Sequence, residues 1–130
     1  MKLASSIDEV LTHLDTIIRF EIDADSNLAY FPILYKKVTQ RIKVGIENGE
    51  FENNHRMEVL DVIFANRYIE AYYNMKSNAP ISQSWNGAFQ ASSNNKLLIM
   101  QHLLLGINAH INLDLGIAVA ETVGVDGNLA

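Results

Sequence analysis

Apolar residues recur at helical spacing along most of the chain, and clusters of turn-forming residues cut that pattern into segments. The clusters lie at Asp23–Asn27, Asn48–Asn54, Ser77–Ser84, Ser92–Asn95 and Gly124–Asn128. Ile7, Val10, Leu11, Leu14, Ile18 and Ile22 mark one face of a first helix, from about Ser6 to Ile22. Ser6 and Glu9 form a capping box at its start: the hydroxyl accepts an orphan amide and the carboxylate reaches back. A second helix spans Tyr30 to Glu47, with Pro32 tolerable only in the first turn. Its stripe is Phe31, Leu34, Tyr35, Val38, Ile42 and Gly45. A third runs from Asn54, the expected N-cap, to Met75, with a stripe of Met57, Leu60, Phe64, Tyr68, Ala71 and Met75. A fourth, short one covers Ser84–Ala91 and sets Trp85 and Phe89 one turn apart as a core anchor. The fifth is the long Leu97–Val123 segment.

No stretch alternates apolar and polar positions for long, so strands are not expected. Short connections favour antiparallel neighbours. A helix that is apolar nearly all round is usually the central one. The expectation is therefore a single all-α domain over residues 1–130: an up-down bundle of about five helices, with the C-terminal helix buried at its centre.

Composition narrows the function classes. At 48% apolar residues a chain of 130 residues can build a core, and about two-thirds of its surface is buried on folding. The net charge is −5, with 15 acids against 10 bases, which disfavours nucleic acid and a basic membrane-surface helix. The absence of Cys excludes disulfides, thiolate zinc sites, iron–sulfur clusters and a Cys nucleophile. The start, Met1 to Ser6, turns polar too early for a signal peptide, so a cytoplasmic protein is expected. Leu97–Ala120 carries one formal charge, Asp114, but also Gln101, His102, Asn108, His110 and Asn112. That load is too polar for a membrane span.

The same segment holds the candidate chemistry. His102, Gly106, His110 and Asp114 follow at i+4, while Gln101, Asn108 and Asn112 lie nearly opposite. His110 and Asp114 lie about 6 Å apart along the axis on one face. An imidazole and a carboxylate so placed suit a divalent metal, zinc or iron. They also suit a carboxylate-oriented His acting as a base, and the plainest reading is an i,i+4 hydrogen bond that neutralises a buried acid. His102 lies about 12 Å of rise and about 80° from His110, so it reaches the same ion only by leaning strongly. Asp61 falls inside the apolar stripe of the third helix and needs a cation, a donor or a proton. Arg41 is one expected partner; a metal shared with His110 and Asp114 is another. His13 and His55 read as surface or cap residues.

Two stretches resemble a family. Arg56–Tyr68 (RMEVLDVIFANRY) and Gln101–Leu115 (QHLLLGINAHINLDL) resemble DUF5995, a bacterial family of unknown function whose hallmark is the HLLLG-x-NAHINLDL run. The resemblance supplies no activity. It implies weight at Asp61, Asn66, Arg67, His102, Asn108, His110, Asn112 and Asp114. Members run on into further helical sequence, so the resemblance also implies a short member or a fragment, with a homodimer covering the apolar surface. A looser likeness, H-x-x-x-D on a helix, is to the all-helical zinc-dependent phospholipase C and nuclease group. That group's downstream His and N-terminal Trp ligands have no counterpart here.

The leading expectation is a divalent-metal site on His110 and Asp114, with Asp61 or His102 contributing, whose activated water hydrolyses an ester or phosphoester. The rival is a non-catalytic helical domain in which the His/Asn/Asp ladder fixes one packing. A third reading is a small-ligand pocket between helices.

Overall fold

The computed structural model describes residues 2–94 and 99–126. Every regular element among them is a helix: α1 Ile7–Asp23, a 3-10 turn Asn27–Ala29, α2 Tyr30–Glu47, α3 Asn54–Lys76, α4 Gln83–Ala91, α5 Ile99–Ala109 and α6 Leu115–Asp126. A single wide π turn, His110–Asp114, joins α5 to α6. No helix among the described residues is long and apolar enough to cross a membrane.

The helix ends follow from local chemistry. Ser6, Asn53 and Ser82 cap α1, α3 and α4, each side-chain oxygen accepting from the amide three residues on. For α3 the cap is thus Asn53 rather than Asn54. The Glu9 carboxylate accepts from the Ser5 amide and hydroxyl, so the expected capping box is shifted one residue outward. α1, α2 and α3 all stop in the same way. Asp25, Gly49 and Asn78 take positive φ of 52°, 68° and 60° just past the last turn. The next amide (Ser26, Glu50, Ala79) then bonds back to the carbonyl five residues earlier. This closure satisfies carbonyls that a bare helix end leaves open.

Side-chain packing rotates two helices relative to their apolar stripes. On α1 the buried face is Ile7, Val10, Leu14, Ile17 and Glu21, while Ile22 is exposed. On α3 it is Asp61, Val62, Ala65, Tyr68, Ile69, Ala71 and Tyr72, which keeps Tyr68 and Ala71 of the expected stripe. In each case a buried acid takes a position inside the core face. Glu21 is accommodated because the Tyr72 hydroxyl donates to Oε1 at 2.8 Å and Lys76 reaches the same oxygen. α3 packs against α1, α2, the π turn and α6, and α4 packs against α5. Residues of α1, α2, α3 and α4 meet in one core around Leu14, Tyr35, Tyr68, Ile69 and Trp85.

The largest departure concerns the last helix. The expected single helix is two, α5 and α6, divided at the π turn, which makes six α-helices rather than about five. Its expected start at Leu97 lies outside the described residues. Nor is it central. Its buried residues are His102, Gly106, Ala109, His110, Asp114, Ala118 and Thr122, a single face. The opposite face carries Met100, Leu104, Ile111 and Val119 in the open, with Leu104 56% exposed. The polar stripe faces inward because α3 and α4 supply its partners, and the apolar face is left outside.

Gly106 sets how closely α5 approaches α2. A Cβ there would lie 2.6 Å from Cδ1 and 2.8 Å from Cγ of Phe31. Those atoms are the root of a ring held against Tyr68 and Trp85. Ala is the better helix former by about 1 kcal/mol, whereas displacing a packed ring costs about 1–3 kcal/mol. Gly106→Ala is therefore expected to lower the urea midpoint. A raised midpoint would show that Phe31 gives way without loss.

Candidate functional site

Asp114 closes the π turn and has no exposed surface. Its Oδ2 accepts the Trp85 indole N–H at 2.8 Å and lies 2.8 Å from His110 Nδ1. Its Oδ1 accepts from Arg67 Nε at 3.4 Å. Trp85 can only donate, and Arg67 is always charged, so the carboxylate is the common acceptor. The hydrogen between His110 and Asp114 therefore sits on Nδ1, which leaves Nε2 with its lone pair. Burial lowers the His110 pKa; the adjacent carboxylate opposes that shift, and the Arg67 charge adds to it. The ring is neutral at pH 7.

Aromatic side chains fix the imidazole from every side. Phe64 stacks on it at 3.7 Å with the planes 9° apart. Tyr35 meets its edge at 4.7 Å, and Phe31 and Trp85 complete the cage at 5.7 and 5.8 Å. The π turn matters here. A wide turn changes the rotation between His110 and Asp114, and such turns recur at functional sites.

Three side chains next to this cage carry buried polar atoms that no protein group meets among the described residues. They are His110 Nε2, the Tyr35 hydroxyl and both oxygens of Asp61. Asp61 is 2% exposed. Burial, with a smaller push from the Glu58 charge, raises its pKa from 3.8 to about 7. Tyr35 is raised well above its ordinary value, first by burial and then by the charges of Asp61 and Asp114. Beside them opens a cavity of about 220 Å³, lined by Phe31, Leu34, Tyr35, Val38, Phe64, Ile107, His110 and Ile111.

The expected site residues are only partly brought together. His110, Asp114 and Arg67 form one cluster. Arg41 does not reach Asp61; its guanidinium makes a two-pronged pair with Glu50 at 3.0 Å on the surface, and it is not a buried group. Asn66 ties down the N-terminal segment, accepting from the Ala4 amide and donating to its carbonyl. His102 is buried beside Tyr30 at 5.8 Å, on a cavity of about 20 Å³, and its Nε2 meets no protein partner among the described residues. Asn108 is exposed, and the Asn112 side chain lies outside the described residues. Trp85 and Tyr35 were not in the candidate set. The signal available for them is that a buried Trp or Tyr has a polar tip needing a partner.

A divalent metal needs several convergent side-chain ligands. Among the described residues no group of three His, Asp or Glu side chains is placed to hold one. His110 Nδ1 and Asp114 Oδ2, at 2.8 Å, are spaced for a shared proton, whereas two ligands of one zinc stand about 2 Å from the ion on separate bonds. Asp114 is already committed to Trp85, His110 and Arg67.

The sequence pattern of the family of unknown function DUF5995 matches residues 7–129. The chain belongs to DUF5995. No curated protein and no solved structure matches it. In this DUF5995 chain the NAHINLDL run, Asn108–Leu115, covers the π turn and the His110–Asp114 pair.

Asp61 gives a pH signature. Its folded pKa lies above the unfolded one, so the unfolded chain releases this proton first. Between 3.8 and about 7, raising the pH therefore favours unfolding through this group, and above that window the penalty is constant. Asp61→Asn removes it. The stability gained by Asp61→Asn over wild type should widen as pH rises through that window and then level off, as read from urea midpoints. A pH-independent difference would contradict the assignment.

Proposed function

We propose that this chain is a small-ligand-binding domain whose ligand occupies the cavity between α2, α3 and α5, beside His110. The single observation that carries this is an apolar cavity whose wall is built from Phe31, Tyr35, Phe64 and His110, two of which also carry a buried polar atom that no protein group meets among the described residues. A buried polar group without a partner costs about 1–3 kcal/mol, so a cluster of them is maintained against folding stability. An apolar cavity of about 150 Å³ suffices for a benzene ring, so one of about 220 Å³ takes a ring with a short substituent. Val38 and Ile111, both largely exposed, form its rim and leave it open to solvent.

In this reading the helices keep the up-down arrangement suggested by their short connections, and Asp114 is a positioning residue. It fixes the orientation of the His110 ring that forms part of the cavity wall. Hydrolysis through a zinc or iron ion is not the reading adopted, because His110 and Asp114 face each other and a third ligand is not placed beside them. The exposed apolar face of α5 is consistent with a homodimer but does not require one.

Ligand-observed NMR with ethylbenzene tests the proposal. Wild type is expected to show saturation transfer to the probe. Ile107→Trp, which fills the cavity, should abolish the transfer without lowering the melting temperature. No transfer to wild type, or equal transfer to Ile107→Trp, would overturn the proposal.

A further inference from the structure

Arg67 and Trp85, which hold Asp114 from α3 and α4, also line a second cavity of about 160 Å³, where the segment entering α4 runs beside α3. Arg67, Glu70 and Asn74 follow one another at helical spacing on α3 and give this cavity its polar wall. Ile81 and Trp85 give it an apolar one.

Arg67 carries five N–H donors, and only Nε–H is used, toward Asp114 Oδ1. The two terminal nitrogens meet no protein acceptor among the described residues. They form the fork that takes a carboxylate through two parallel bonds. Glu70 lies three residues on, a spacing at which opposite charges pair along a helix. Here they do not pair. Asp114 holds the guanidinium by its Nε, and Glu70 stands exposed with no ion-pair partner among the described residues. One cavity therefore keeps a cation and an anion side by side, each open to a ligand.

That pairing selects a class of ligand. A plain anion on Arg67 would bring its charge beside Glu70, and a plain amine on Glu70 would bring its charge beside Arg67. A molecule carrying both groups on adjacent atoms meets both demands. For size, an apolar cavity of about 150 Å³ holds benzene, and alanine has as many non-hydrogen atoms.

We infer that this cavity binds a small α-amino acid, its carboxylate on the terminal nitrogens of Arg67, its ammonium group on Glu70 and the Asn74 side-chain oxygen, and its side chain against Ile81 and Trp85. The site is separate from the cavity between α2, α3 and α5, and neither reading depends on the other.

Trp85 is the single tryptophan of the chain, so its fluorescence reports on this site directly. L-alanine, propionate and ethylamine share one frame and differ only in their charged groups; each is titrated into the full chain at pH 7.5. Alanine is expected to give a saturable fluorescence change. Propionate and ethylamine are each expected to bind about tenfold more weakly, the equivalent of one hydrogen bond to a charged group. Glu70→Gln, a change at an exposed position, is expected to bring the alanine and propionate affinities together. Equal affinities of alanine and propionate for wild type would overturn the inference, as would an unchanged preference for alanine in Glu70→Gln. So would the absence of both a saturable fluorescence change and saturation transfer from the protein to the alanine methyl group.

Discussion

A carboxylate with no access to water must be met by donors, and Asp114 is met from three directions at once. Trp85 on α4, His110 across the π turn and Arg67 on α3 converge on it, at 2.8, 2.8 and 3.4 Å. Removing an acceptor shared in this way would leave the indole N–H and an imidazole N–H buried without partners, each costing its desolvation, and would unpair the partly exposed Arg67 guanidinium. The contact therefore locks α3, α4 and the α5–α6 helix into one arrangement. It also sets a chemical state: with Nδ1–H committed to Asp114, the His110 Nε2 is left unprotonated and buried.

The rest of the site follows from that orientation. The imidazole lies flat on Phe64 and edge-on to Tyr35, so the aromatic cage and the cavity wall are one structure. Gly106 admits Phe31 against α5, one turn from His110, and Phe31 in turn lines the cavity. Asp61 is the buried acid near this site whose two oxygens meet no protein group among the described residues. Asp114 has its cation and Glu21 has Lys76, but Asp61 is paired with neither. That contrast sets Asp61 apart from the buried acids whose charge is met within the fold.

Much of this was legible in the chain. Helical spacing located the first four helices to within a residue, because caps and turn residues are local chemistry. The i+4 spacing of His110 and Asp114 announced their contact, which is also local. Which face of a helix turns inward was harder to read. Counting apolar residues favoured Ile22 over Glu21 and a fully buried last helix. Tyr72 and Lys76 accommodate Glu21, and α3 and α4 cover only the polar stripe of α5 and α6. Such outcomes depend on residues distant in sequence. Trp85 lies 29 positions from Asp114 and Arg67 lies 47, and no periodicity encodes either contact. The spacing identified the His110–Asp114 pair but not Trp85 and Arg67, the donors that also meet Asp114.

The central claim is the state of His110, and nitrogen NMR of the protein with ¹⁵N-labelled histidine reads it directly. The account predicts a neutral ring at pH 7 with hydrogen on Nδ1 and a pyridine-like Nε2, and loss of that preference in Asp114→Ala. A ring carrying hydrogen on Nε2, or on both nitrogens, at pH 7 would contradict it.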